Sequence, residues 1–156
     1  MRIAIAAALA LTAISSVQAQ TTAVPSNVDY STAAPIEGNW AYVTLAGGSE
    51  ATFANAAGQP QLTISCARAV RQVTLSKPAT IAAPFIAVWT TAQTRNLPSS
   101  YNPATGRLSA TLAAFDPFLD AIAFSRGRVA FTVSGQPALI IPTWAEPARV
   151  IEDCRV

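Results

Sequence analysis

The chain has 156 residues, 51% of them hydrophobic, and its ten basic and eight acidic residues give a formal net charge of +2. These charges are spread along the chain, so the sequence lacks the basic cluster with which a nucleic-acid-binding domain holds phosphates. There is no histidine, which removes the usual general base and the commonest metal ligand. Ser-His-Asp, Cys-His and zinc sites are therefore not expected, and we predict no metal, no cofactor and no catalytic residues.

The first residues have the three parts of an export signal. The basic start Met1-Arg2 precedes an apolar core over residues 3–14, and small residues lead up to Gln20. The core is shorter than the ~20 apolar residues that span a bilayer, so we predict a signal peptide over residues 1–19, cleaved after Ala19. We expect a periplasmic or secreted protein with no membrane span in the mature chain.

Residues 20–35 are rich in Thr, Ala, Ser and Pro without an apolar period, and we interpret them as a flexible leader. Residues 36–156 then suffice for a single domain. The two cysteines of an exported chain, Cys66 and Cys154, are expected to be bonded. A bridge that closes a loop of this length contributes about 4 to 5 kcal/mol in the chain-entropy model.

Alternation of apolar and polar residues predicts mainly β structure along this domain. Leu62, Ile64 and Cys66 fall on one face of a strand, which directs Cys66 toward the core. Residues 96–106 contain Pro98 and Pro103 and predict a loop. The predicted strands are residues 40–45, 50–53, 61–67, 72–76, 85–91, 107–113, 129–133 and 138–141.

Two helices are predicted late in the chain. Asp116-Pro117 is typical of a helix start, and the helix extends to about residue 125, before Gly127. A second helix covers about residues 144–153, begun by a Thr143 and Glu146 capping box or by Pro147. The predicted fold is thus a twisted antiparallel sheet that forms a sandwich or half-open barrel, with an inserted helix and a terminal helix tied by the disulfide.

Arginine pairs are the candidate binding residues. Arg126 and Arg128 flank Gly127 and could hold a phosphate or a carboxylate, although cations that complement a helix end also explain them. Arg68 and Arg71 lie near Cys66, and could form an anion-attracting edge or protect a sheet edge from aggregation.

Carboxylates and the lysine are weaker candidates for chemistry. Asp116 and Asp120 could act as acid and base across a glycosidic bond, but a helix cap and a favourable first-turn charge also account for them. Lys77 follows Ser76 without the Ser-x-x-Lys spacing of a lysine-activated nucleophile, so we interpret it as a solvated loop lysine.

The order of the Trp40 strand, the strand that ends at Cys66, Phe131 with Val133, and the terminal Cys154 resembles small proteobacterial periplasmic β domains. Among these are the invasion-associated locus B family and a type VI secretion accessory family. Residues 116–128 and the closing run 144–155 are similar to an uncharacterised family of proteobacterial exported proteins. This resemblance implies a β fold and an exported location, and it implies no catalytic motif.

We therefore expect a non-enzymatic interaction module whose partner is another periplasmic protein, since exposed sheet edges can bind other chains. An apolar or arginine-lined surface patch would favour this hypothesis. One alternative is a small-ligand or glycan binder or hydrolase that uses Asp and Arg side chains in a concave pocket. Another is an inhibitor of a periplasmic or secreted enzyme, which would use the loop over residues 97–103.

Overall fold

The computed structural model describes residues 29–156, so the predicted signal peptide and residues 20–28 of the leader lie outside the described residues. The described part is mainly β, with two antiparallel sheets and two helices, which confirms the predicted fold class. In chain order the strands are β1 (Gly38–Leu45), β2 (Gly48–Asn55), β3 (Pro60–Ala67), β4 (Gln72–Pro78), β5 (Phe85–Trp89), β6 (Thr94–Pro98), β7 (Ser100–Asn102), β8 (Arg107–Ala113), β9 (Val129–Thr132) and β10 (Leu139–Ile141).

The larger sheet has six strands in the order β1-β2-β3-β4-β8-β7, and the smaller has four in the order β10-β9-β5-β6. Leu62, Ile64 and Cys66 of β3 are buried while the residues between them are partly exposed, as the alternation predicts. The inward faces of both sheets supply one apolar core, whose largest fully buried side chains include Phe53, Phe118, Phe131, Leu62, Leu75 and Ile86.

Helix α1 (Pro117–Ala123) begins as the sequence predicts. The Asp116 carboxylate accepts a hydrogen bond from the Phe118 amide at 2.9 Å, and Pro117 occupies the first helical position. Three side chains face the core: Phe118, Leu119 and Ile122. The helix ends at Ala123, two residues before the predicted end, and Gly127 adopts the left-handed conformation in the turn that follows.

Helix α2 (Ala145–Asp153) has the predicted extent but not the predicted start. The Thr143 hydroxyl donates to the Ser125 carbonyl at 2.6 Å, so it does not cap the helix. Trp144 occupies the N-cap position, and no side chain makes a capping hydrogen bond there. The tertiary contact replaces the capping box that the local sequence suggests. The buried face consists of Pro147, Val150 and Ile151.

The prediction of a loop over residues 96–106 is wrong. Strands β6 and β7 fill most of it, and the chain passes from the smaller sheet to the larger one at Ser99. Both strands are at sheet edges, where a proline removes no ladder hydrogen bond, so Pro98 and the nearby Pro103 are tolerated.

The predicted disulfide between Cys66 and Cys154 is present, with the two Cα atoms 5.4 Å apart. Cys66 lies on β3 and Cys154 directly follows α2, and both are buried. The bridge therefore fixes the terminal helix on the larger sheet, where α2 also contacts β1 and β2.

The last residues of the predicted leader contact the domain. The Tyr30 ring packs edge-on against Trp89 at 6.1 Å, and Arg128 donates a hydrogen bond to the Ala33 carbonyl. The Ile36 amide donates to Ile140 at 2.9 Å, beside the edge strand β10. Residues 29–156 contain no helix that is both long and apolar enough to cross a membrane.

Candidate functional site

Two of the four predicted binding arginines lie at one corner of the larger sheet. A short 3-10 helix (Arg68–Val70) connects β3 to β4, and Arg71 follows it in the left-handed conformation, with φ at 50°. Its amide donates to the Arg68 carbonyl at 3.1 Å and its carbonyl accepts from Ala114 at 2.8 Å. The second bond brings the end of β8 and the following Phe115 to this corner.

We call Val70, Arg71 and Phe115 the Arg71 corner. The guanidinium of Arg71 lies over the Phe115 ring, 5.7 Å from its centroid. Phe115 is 60% exposed, and Val70, which precedes Arg71 in the chain, is 62% exposed. Among residues 29–156, no carboxylate lies within 4.0 Å of the Arg71 guanidinium.

Arg155 lies on the other side of Ala114, whose carbonyl accepts a bond from its Nε at 2.9 Å. The Cys66–Cys154 disulfide holds the segment that contains Arg155 near this corner. The charge of Arg155 is already balanced, by Asp120 at 2.8 Å and by Glu152 at 3.1 Å. Arg68, the other exposed arginine here, donates to the Gly48 carbonyl at 3.4 Å. Arg71 therefore differs from Arg155 in having no carboxylate partner among the described residues, and from Arg68 in lying over an aromatic ring.

The other pair, Arg126 and Arg128, is held differently. The Arg128 side chain bonds to the carbonyl of Ala33, while Arg126 is exposed and its amide donates to the Thr91 hydroxyl at 3.0 Å. The Arg128 carbonyl accepts from Ser125 at 2.6 Å and closes the turn. These contacts give both residues a role in the loop after α1.

The carboxylates considered as an acid and base pair both have structural partners. Asp116 caps α1 and binds Arg95 through both oxygens, at 2.8 and 2.9 Å. Asp120 pairs with Arg155. These contacts support the interpretation of Asp116 as a helix cap and of both residues as ion-pair partners.

A cavity beside the end of β4 is lined by Lys77, for which the predicted solvated loop position is wrong. Lys77 lies in β4, not in a loop, and its side chain is only 6% exposed. Val73, Leu75 and Lys77 alternate along β4 on its buried face, and this period was the signal that could have shown it. The cavity of about 540 Å³ beside it is called the Lys77 pocket.

The Lys77 ammonium has two neutral partners. Its Nζ donates to the Gln136 amide oxygen at 2.7 Å and to the Pro78 carbonyl at 3.3 Å. No carboxylate of the described chain lies within 4.0 Å of Nζ. Burial therefore lowers the pKa of Lys77 below its usual value of 10.5, because the apolar surroundings disfavour the charged form.

Comparison with protein-family models, with curated proteins and with solved structures found no match for this chain. Residues 29–156 also contain no group of three or more His, Cys, Asp or Glu side chains placed to hold a metal ion.

Proposed function

We propose that this domain is a non-enzymatic interaction module of an exported protein, and that it binds another protein of the same compartment through the Arg71 corner. The observation that carries the proposal is the contact of an exposed aromatic ring, Phe115, with an arginine that has no carboxylate within 4.0 Å among the described residues. Aromatic residues and arginine are the side chains that contribute most to protein interfaces.

The chemistry of the corner indicates what a partner would present. An apolar side chain would cover Phe115, while a carboxylate would bind the Arg71 guanidinium in the two-pronged geometry that arginine favours. Desolvation of Arg71 by the partner would strengthen that charge pair. A partner segment that combines acidic and apolar residues fits this surface.

The framework around the corner is suited to holding a rigid binding surface. Cys66 pairs with Val73, one residue into β4, so the disulfide lies next to the connection that carries Arg71. Arg71 is also held in a left-handed conformation that residues other than Gly, Asn and Asp seldom adopt. Such local strain is typical of positions that serve binding. A surface that is rigid before binding loses little entropy when it binds.

The test is affinity capture of the chain from residue 20 onward, in crosslinked extracts of its native compartment, with oxidised and reduced protein compared. Phe115→Ser and Arg71→Asn remove the apolar group and the charge, and Asn tolerates the left-handed backbone. Phe124→Ser is the matched control, because Phe124 is 75% exposed and follows the opposite end of α1.

We expect one dominant partner with the native chain and with Phe124→Ser, and at least about tenfold less of it with either corner variant, as loss of an interface anchor implies. Capture that is equal across all three variants would refute the Arg71 corner as the binding surface. Absence of any partner, with the disulfide intact, would refute the interaction module itself.

No structural observation favours the enzyme-inhibitor alternative, because residues 97–103 belong largely to the edge strands β6 and β7. The ligand-binder alternative required a pocket formed by Asp116, Asp120, Arg126 or Arg128. The Lys77 pocket contains none of these residues.

A further inference from the structure

We propose that the Lys77 pocket is a binding site for a small monocarboxylate with an apolar body, whose carboxylate is held by the Lys77 ammonium. This site goes beyond the proposed protein interaction. The pocket and the Arg71 corner lie at opposite ends of β4, about 20 Å apart for a seven-residue strand. The two surfaces can therefore be tested independently.

The charge of Lys77 has no opposite charge beside it among the described residues. A buried ammonium without an opposite charge is expensive, because neutral hydrogen-bond acceptors replace only part of its hydration. Lys77 has a carbonyl and an amide oxygen as its described partners, and an ammonium group has three N–H donors. An anion in the pocket would occupy the remaining donor and supply the missing charge.

The polar groups of the pocket favour one kind of anion. Lys77 is the one cationic residue among those that line the pocket, and a lysine is a point charge without the fork of donors that an arginine offers to phosphate. Gln136 points its amide oxygen at Lys77, so its amide nitrogen remains as a neutral donor. One charge and one amide donor suit a singly charged carboxylate better than a doubly charged phosphate.

The wall of the pocket favours a ligand with an apolar body. Apart from four polar side chains and a glycine, the wall is apolar, formed by Ile36, Pro78, Ala79, Pro137, Ala138 and Leu139. The volume of about 540 Å³ lies within the range of small-molecule sites, roughly 300 to 1,000 Å³, which are mostly apolar with a few polar groups that orient the ligand. An aliphatic carboxylic acid combines both features.

The position of the pocket also allows a ligand to enter. It is formed where β4 ends, by the connection to β5, the start of β8 and the turn between β9 and β10. The cavity is open to solvent and Lys77 lines it, although Lys77 itself is buried. The turn that contains Gln136 forms part of the pocket wall and also supplies the hydrogen-bond acceptor of Lys77.

The experiment uses octanoate as the probe, titrated into the chain from residue 20 onward and followed by calorimetry. Two matched compounds separate the contributions: acetate carries the charge without the apolar body, and octanol carries the body without the charge. We expect octanoate to bind at least about tenfold more tightly than either, which is the effect of one charge-assisted hydrogen bond or of a few buried methylene groups.

Two variants complete the test. Lys77→Met removes the charge at similar length, and we expect octanoate to bind about tenfold or more weakly while octanol is unaffected. Arg126→Gln is the control, since it removes an exposed cation outside the pocket. Octanoate affinity that is unchanged by Lys77→Met, or no better than that of octanol, would overturn the proposal.

A second measurement needs no variant. Lys77 is the only lysine in the sequence, so a chain labelled with ¹³C at lysine Cε gives a single side-chain signal that reports the pKa of this group. A bound carboxylate stabilises the charged form, so octanoate should raise that pKa and acetate should raise it less. A signal that titrates identically with and without saturating octanoate would also overturn the proposal.

Discussion

Removal of the Cys66–Cys154 disulfide is expected to cause a large loss of stability that arises mainly in the unfolded chain. The two residues are 88 positions apart, so the bond excludes all unfolded conformations in which the two ends of this segment are far from each other. The chain-entropy relation gives about 4.6 kcal/mol at 25 °C for a loop of this length, and measured native disulfides contribute about 2 to 5 kcal/mol. This is a large share of the total for a domain of this size.

Urea unfolding, followed by tryptophan fluorescence, measures the effect. Two samples are compared with the oxidised chain: the double variant Cys66→Ala/Cys154→Ala, and the reduced native chain. The reduced chain keeps both buried sulfur atoms, so any further loss in the double variant reports the cavity left by their removal. We expect the free energy of unfolding to fall by about 2 to 5 kcal/mol in both samples.

The slope m distinguishes an effect on the unfolded state from an effect on the folded one. An unfolded chain without the bond is more expanded and exposes more surface, so m should rise in the reduced chain. With m near 2 kcal/mol/M, the midpoint would fall by roughly 1 to 2.5 M urea. A loss below about 1 kcal/mol together with an unchanged m would refute the entropic reasoning.

Three further predictions concern single residues. Gly48→Ala places a Cβ against the Cys66 carbonyl oxygen of β3, so we expect the free energy of unfolding in urea to fall by about 1 to 3 kcal/mol or more. The neighbouring Gly47→Ala meets no atom within 4 Å and should be nearly neutral, and equal losses in the two variants would contradict this. Asp116→Ala removes the cap of α1 and should cost about 1 kcal/mol, measured in the same way. The Tyr42 hydroxyl, 2.5 Å from Asp153, lowers the pKa of that carboxyl below its usual value of 3.8. A carboxyl with a lowered folded-state pKa stabilises the fold above its unfolded pKa and loses this contribution as pH falls. Tyr42→Phe should therefore lower the melting temperature at pH 7 and reduce the dependence of the melting temperature on pH below about 4. A native pH profile in the variant would contradict this.

Patterns with a short period explain why the sequence predicts the strands and the disulfide. In β3, the alternation that buries Leu62 and Ile64 also turns Cys66 inward, and Cys154 is the only other cysteine in the sequence with which it can pair. The start of α1 is equally local, because the Asp116 carboxylate and the ring of Pro117 act on the next few backbone amides.

Features that depend on distant contacts were mispredicted. Thr143 has capping-box spacing, but Ser125 supplies a carbonyl from another part of the fold and takes its hydroxyl. The prolines near residue 100 suggest a loop, but sheet edges accept them in β6 and β7. In both cases the partner group is far away in the chain and has no signature near the residue itself.

The Arg71 corner and the Lys77 pocket also depend on contacts between residues that are distant in the chain. The sequence names Arg68 and Arg71 and their nearness to the disulfide, because the bond brings the end of the chain to β3. It does not place Phe115 beside Arg71, since that contact depends on the pairing of β4 with β8. Nor does the sequence predict the Lys77 pocket. That pocket exists because the turn with Gln136, which belongs to the smaller sheet, contacts Lys77 in the larger sheet.

The sequence by itself thus determined the mainly β class and the two helices, because hydrophobic periodicity and the residues at helix ends act locally. It also determined the disulfide, because each of the two cysteines has only the other as a partner. Only the tertiary structure decided which strands are neighbours and which polar side chains are buried. Those properties depend on how the two sheets pack, and residues far apart in the chain contribute to them jointly.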